Sequence, residues 1–336
     1  MLTRRGIVGG LAFSVGLATW SGRGLGQAEA EPFKVVAFAG ASNWPFWVGQ
    51  EKGFFRREGV EVVLELTPNS VELAKNLHAG RYDLALTSVD NVVAYDEGQG
   101  EADLGGPADF VAIFGVDNGL LSVMAVPEVK SFAELKGKTL SVDAMTTGFA
   151  FVLREVLARN GVAESDVQIV RVGGGAQRLE ALLKKEQAAT LLNTPLDLVA
   201  EARGFNRLAR ARDQLGAYQG IVGTMRRDTA NRQWLRVEAF IRGFHTSVTW
   251  LADPANKDEA VTILVGRMRG MERPAAERAY QRLLDPVEGM YRELRMDREG
   301  ITTVLRLHSA YAQPRKLLSD PDRYVDLSYL EAALKR

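Results

Sequence analysis

Short apolar runs alternate with helical periodicity over the first two thirds of the chain, and beyond Asn231 only the helical period remains. Phe33–Phe38 reads as a buried strand and Val60–Leu66 as a second one. Between them Gly40–Gly53 reads as turn, short helix and stop. Ser42 or Asn43 can cap that helix. Pro45 suits its first position, where no N–H is needed, and Gly53 suits the left-handed position just past its end. Val71–Ala79 has helical spacing and is ended by Gly80. Leu84–Leu86 is a short strand running into the polar turn Thr87–Asn91, and Phe110–Gly115 and Leu120–Val126 are strand-like.

Pro127–Lys138 brings proline, charges and a one-turn helix signal at Ser131–Leu135, which places a domain crossing there. The strand Thr139–Val142 leads to the turn Thr146-Thr147-Gly148 and an amphipathic helix, Phe149–Asn160. Val167–Val172 is a strand. The glycines Gly173–Gly175 form a turn before the helix Ala176–Lys185, and no Gly-Lys-Ser/Thr follows them, so they are not a phosphate loop. Ala188–Leu192 is a strand, and Asn193-Thr194-Pro195 turns into Leu196–Ala202. The arginine-rich stretch Arg203–Arg212 reads as solvated surface, and Ile221–Met225 as a strand of the first domain. Four helices follow: Trp234–Leu251, Ala260–Met268, Ala275–Leu284 and Arg298–Ala312.

Val71–Asp90 and Ala176–Asp197 share one order: a helix, a buried strand, a polar turn, and an aspartate soon after. This weak repeat predicts two α/β lobes whose strand ends face one cleft. Ligands of open α/β sheets bind at the carboxyl ends of strands. The candidate ligand-binding residues are therefore Ser42, Asn43, Trp44, Asn69, Ser88, Asp90, Asn118, Thr146, Thr147, Phe149, Asn193 and Thr194. Asp197 and Tyr218 are weaker candidates. Trp44 either stacks on a planar ligand or plugs the core. Thr146-Thr147-Gly148 is either an anion cradle at a helix start or a plain cap. Asp90 can pair an ammonium, as in an amino-sulfonate. No Arg or Lys falls inside these turns, so an anion would be held mainly by neutral donors and helix dipoles, an arrangement that also admits an uncharged or aromatic ligand.

Composition narrows the function classes. With 336 residues, 46% hydrophobic and 25% charged, the chain can build its core without staples. Lys+Arg and Asp+Glu are 42 each, so nothing electrostatic points to nucleic acid. There is no cysteine, which excludes a thiol nucleophile, a disulfide framework and a lipidated cysteine. The three histidines lie singly on predicted helices without metal-ligand spacing, and no cofactor or metal is expected.

Residues 1–30 read as an export signal rather than fold. Arg4 and Arg5 precede an apolar run, Ile7–Trp20, too short to span a bilayer, and Ala28-Glu29-Ala30 fits a cleavage site near Ala30. Thr3-Arg4-Arg5-Gly6-Ile7-Val8 resembles the twin-arginine motif, with the general route left open. The expected location is periplasmic.

Pro45–Val62, with Gln50-Glu51-Lys52-Gly53-Phe54-Phe55 at its centre, resembles the opening signature of periplasmic solute-binding proteins of the nitrate/sulfonate/taurine ABC importers, shared with the thiamine-precursor-binding NMT1/THI5-like proteins. Ala79–Ala85 and Ser131–Val142 resemble later segments of the same family, and the likeness runs from about residue 33 to 225. The usual glycine and aspartate are missing around Lys184–Ala188. The resemblance implies a type II periplasmic-binding-protein fold with C-terminal helices. Lobe one would hold residues 31–124 and 222–336, and lobe two 125–221. It implies capture of a small organic ligand, anionic (sulfonate-, taurine- or nitrate-like) or aromatic, for delivery by a monomer to an ABC permease and its ATPase. The alternative is an enzyme or sensor component on the same fold, such as a thiamine-pathway pyrimidine protein. The export signal and the missing cysteines weigh against the enzymes.

Overall fold

Ten strands form where the short apolar runs lie, with one addition. They are β1 (Phe33–Ala37), β2 (Val62–Leu66), β3 (Leu84–Ser88), β4 (Phe110–Gly115), β5 (Leu121–Ala125), β6 (Thr139–Val142), β7 (Gln168–Arg171), β8 (Ala189–Asn193), β9 (Asn206–Arg210) and β10 (Ile221–Arg226). The helices are α1 (Trp44–Glu51), α2 (Phe54–Arg57), α3 (Ser70–His78), α4 (Val89–Asp96), α5 (Gly148–Arg159), α6 (Gly175–Leu183), α7 (Leu196–Ala202), α8 (Ala211–Leu215), α9 (Arg227–Arg232), α10 (Trp234–Ala252), α11 (Lys257–Arg267), α12 (Arg273–Leu283), α13 (Arg298–Tyr311) and α14 (Ser328–Leu334). This computed structural model describes residues 31–285 and 289–335, and the expected export segment 1–30 lies outside them.

The strands make two sheets of five, ordered β2-β1-β3-β10-β4 and β7-β6-β8-β5-β9. Each has three parallel strands, then a reversed strand paired antiparallel on both sides. The interior strands β3 and β5 are buried at every position, as strands covered on both faces are. The two sheets therefore repeat one topology. β10 arrives from beyond the second lobe to occupy, in the first sheet, the place that β5 occupies in the second.

Two expectations are corrected here. The expected boundary puts Leu121–Met124 in lobe one, but the register of β5, Leu121↔Asn193 through Ala125↔Ala189, puts the whole strand in the second sheet. The chain crosses between the sheets at 116–120 rather than near 125, because an apolar run does not encode which sheet it joins. The break is Asp117-Asn118-Gly119. Asp117 is buried, and its carboxylate accepts from the amides of Gly119 (2.7 Å) and Ile221 (3.2 Å) and from Ser42 Oγ (2.6 Å). One side chain thus ties the outgoing and returning passages together. The second correction is β9, inside the arginine-rich stretch read as surface. It is an edge strand, where charged residues are tolerated, and Arg207 pairs there with Asp197 and Glu201.

α10 lies against the first sheet and α2 through aromatic contacts: Phe240 meets Phe33 of β1 (5.1 Å) and Phe55 of α2 (5.2 Å), and Phe244 meets Phe114 of β4 (5.4 Å). α13 packs on α4 of the first lobe and α5 of the second, with His308 and Tyr311 against Phe151. α12 reaches α7, where Arg282 Nη1 lies 2.6 Å from the fully buried Asp197 carboxylate. Among the described residues no helix is long and apolar enough to cross a membrane.

Candidate functional site

The carboxyl ends of β3 and β8, with the helix starts of α4, α5 and α6, surround a cavity of about 50 Å³. That is space for a few waters, or a ligand of that bulk, before the lobes part. Its lining joins Phe38, Ser88, Asp90, Asn91 and Ile221 of the first sheet's lobe to Asp143, Thr147, Phe149, Gly175, Arg178 and Asn193 of the second. Phe38, Phe149 and Ile221 make it apolar on several sides, and the remainder is polar or charged.

Asp90 sits in the first turn of α4. Its Oδ2 accepts 2.6 Å from the amide of Gly148, the first residue of α5 in the other lobe, and its Oδ1 has no partner. Burial pushes its carboxyl up to about 6, and the charge of Asp143 adds to that. The Ser88 hydroxyl and the Gly148 amide work against it. Asp143 is the mirror case. It follows β6 and accepts from the amide of Ser70, the first residue of α3, at 3.2 Å. Burial raises its carboxyl too, offset by the Arg178 guanidinium. Arg178 is 3% exposed, and its Nε and Nη1 have no partner. Burial lowers its basicity, and Asp143 partly restores it. Three further contacts tie the lobes: Gly174 N to Pro68 O at 2.8 Å, Met145 N to Glu101 Oε2 at 2.8 Å, and Arg171 to Glu101 at 2.8 Å.

Of the sequence candidates, Ser88, Asp90, Thr147, Phe149 and Asn193 meet at this cavity. The others do not line it. Ser42 Oγ donates to Asp117, and Asn43 Nδ2 donates to Phe38 O at 2.7 Å. Neither side chain caps α1, whose start carries Pro45 within the first turn. Trp44 is a core plug: it is 1% exposed, its Nε1 donates to Ala260 O at 2.9 Å, and its ring meets Tyr280 edge-on at 5.8 Å. Asn69 caps α3 by accepting from Glu72 N at 2.8 Å. Asn118 accepts from Leu120 N and faces a separate small cavity with Tyr218 and Arg282. Thr146 and Thr194 stand beside the site, each with a hydroxyl lacking a partner. Asp197 belongs to the ion pair with Arg282.

The anion cradle expected at Thr146-Thr147-Gly148 is corrected, because Asp90 already holds the Gly148 amide. No Arg or Lys falls inside the named turns, yet Arg178, from within α6, lines the cavity. Arg178 lies one turn into α6, and a helical side chain leans back over the turn before its own Cα, here toward Gly175 and the cavity. That rule was the one available signal for it. Phe38, Asn91, Asp143, Gly175 and Ile221 were also missed. Asn91 and Asp143 each lie within three residues of a named candidate.

The model of the family described as NMT1/THI5 like matches residues 41–257. No curated protein sequence matches the chain. Among solved structures, the periplasmic nitrate-binding protein NrtA from Synechocystis PCC 6803 is similar at TM-score 0.73 and 14% identity, covering 91% of this chain and 88% of that one. The alkanesulfonate-binding protein SsuA from Xanthomonas axonopodis pv. citri, bound to MOPS, is similar at TM-score 0.69 and 16% identity, covering 88% and 99%. A ligand-binding component of an ABC-type import system from Staphylococcus aureus, with zinc bound, gives TM-score 0.72 and 14% identity over 91% and 100%.

Proposed function

Since the chain belongs to the NMT1/THI5-like family and has the periplasmic-binding-protein fold, we propose that it is a solute-binding protein that closes two lobes on a small organic ligand with an acidic group. The observation that carries this reading is Arg178, a buried guanidinium with two donors unpartnered at the wall of the interlobe cavity. Such a group needs an acceptor, and a carboxylate or sulfonate supplies charge-assisted hydrogen bonds. The lobes bring carboxylates, amides, hydroxyls and apolar walls around it, which hold a ligand and leave it unchanged. The ligand is then handed to an ABC permease driven by its ATPase. The features of residues 1–30 support export with cleavage near Ala30 and a periplasmic location.

The test is a thermal-shift and calorimetry panel of small sulfonates, carboxylates, nitrate and pyrimidines on the purified protein. At least one acid should raise the melting temperature, and Arg178→Gln should abolish that shift. Silence across the panel from a well-folded sample counts against solute capture.

A further inference from the structure

We propose that residues 97–108 form a latch that holds the lobes closed from outside the cavity, with Glu101 as the residue that engages the second lobe. The segment leaves α4 and returns to its starting point: Ala108 N donates to Tyr95 O at 3.1 Å, so its ends meet as in a compact Ω-loop. Its base is fixed to the first lobe. Buried Glu97 accepts from Tyr324 Oη (2.8 Å) and pairs with Arg323 (3.0 Å) and Lys316 (2.9 Å), and Gln99 Nε2 donates to Pro314 O (2.8 Å). The C-terminal segment that supplies these partners is joined to β4 through the bridge Ala112↔Val325. Gly100 lies so close to Tyr95 that an added Cβ would be 2.3 Å from the ring, and Ala102 enters the core. A loop pinned in this way presents Glu101 at little further cost in ordering.

Both carboxylate oxygens of Glu101 engage the second lobe. Oε2 accepts from Met145 N at 2.8 Å, and Oε1 pairs with Arg171 Nη1 at 2.8 Å. Arg171 ends β7, and Met145 lies in the turn after β6 from which Asp143 and Thr147 line the cavity. Among the described residues, none of 97–108 lines that cavity. The two contacts are unequal. The Glu101 side chain is 17% exposed, and an amide donating to a carboxylate there is charge-assisted. Arg171 is 56% exposed, so solvent and salt weaken its share. A contact that joins the lobes and leaves the ligand untouched changes only the closed fraction, and so scales the affinity for every ligand alike. The latch does not depend on which solute is captured, and it is tested without one.

The chain has no cysteine, so two can be introduced for spin labels at exposed positions, Lys75→Cys on α3 and Lys184→Cys just past α6. Double electron–electron resonance on the unliganded protein then reads the distance between the lobes. The parent should give mainly the short, closed distance. Glu101→Ala should lower the closed-to-open ratio about tenfold or more, the scale of one hydrogen bond to a charged group. Glu101→Gln, which keeps an acceptor for Met145 N, should retain most of the closed population. Arg171→Met, on the opposite lobe, should open the molecule less than Glu101→Ala does. The double variant should be no more open than Glu101→Ala alone, because both changes remove the same contact. Circular dichroism confirms that each variant folds. Identical distance distributions for the parent and Glu101→Ala overturn the latch, as does a parent that is already mainly open. A double variant in which the two effects add assigns them to separate sites and overturns it too.

Discussion

Asp90 in one lobe accepts a hydrogen bond from the backbone amide of Gly148 in the other, and the favour is returned: Asp143 accepts from the amide of Ser70. Each lobe thus supplies the carboxylate that satisfies the first amide of a helix in its partner, α5 in one direction and α3 in the other. A helix start favours negative charge, so each contact joins hydrogen bonding to the helix dipole. The protein's own side chains occupy the places that a captured anion would otherwise be expected to take.

The Asp90 carboxyl titrates near 6 in the folded protein against a reference of 3.8, chiefly through burial, with Asp143 and Tyr218 also facing it. Below the reference value it is protonated in both states. As pH climbs toward 6 the unfolded chain ionises first, so the folded state loses stability, and above 6 the full cost is in place, at most about 3 kcal/mol. Asp90→Asn keeps an acceptor for Gly148 and removes the charge. It should raise the urea midpoint of the unliganded protein near pH ~7.5, and the gain should vanish near pH ~4. An equal gain at both pH values would show that charge burial is not the cause.

Gly148 is held against Asp90 so closely that an added Cβ would lie 2.3 Å from its Cβ and Cγ. Gly148→Ala should favour α5 as a helix by about 1 kcal/mol while forcing the lobes apart. Small-angle scattering should show a more open molecule than the parent, and ligand affinity should fall at least about tenfold, the scale of one lost closing contact. Superimposable scattering curves would sink the idea.

Trp44 lies in the helical layer over the first sheet and away from the cavity, so Trp44→Ala is a core deletion. Loss of its packing on Tyr280 and of the bond to Ala260 O should cost about 3–5 kcal/mol by chemical denaturation. Ligand affinity of the folded fraction should not change. A variant of normal stability with weakened binding would return Trp44 to the pocket wall.

Asp197 joins Arg282 at 2.6 Å, Arg207 at 3.3 Å and Ser122 Oγ at 2.9 Å, with its own side chain fully buried. Asp197→Ala leaves two guanidiniums facing each other and should cost about 3–5 kcal/mol. The pair Asp197→Leu with Arg282→Met should recover most of that, because exchanging a buried ion pair for apolar packing is close to neutral. If the double variant is as unstable as the single one, the coupling lies elsewhere.

The fold was legible because apolar runs, polar turns and helix signals agree locally along the chain. The strand–turn–helix unit also located half of the site: Ser88 at the end of β3 and Asp90 just after it, Asn193 at the end of β8, and Thr147 and Phe149 at α5. What local reading could not decide was direction. Asp90 and Asp197 hold the same place, second in the helix that follows β3 and β8 respectively. One faces the cavity and the other a C-terminal helix, and only tertiary packing separates them. Trp44, beside a polar turn, turned inward because α11 offers a carbonyl for its N–H. Arg178, inside a helix, was passed over because a helical arginine usually faces water.

The place of β10 between β3 and β4 bears on the order in which the molecule can assemble as it is made. β4 is buried at every position and β10 is its one partner strand among the described residues, its other edge meeting a single bridge at Val325, so no strand lies beside it until residue 226 has been added. All five strands of the second sheet are complete by residue 210. The lobe that begins first is therefore finished last. For an interval on the order of ten seconds at ordinary synthesis rates, the newborn chain carries an apolar strand without a partner while the later lobe closes its own sheet.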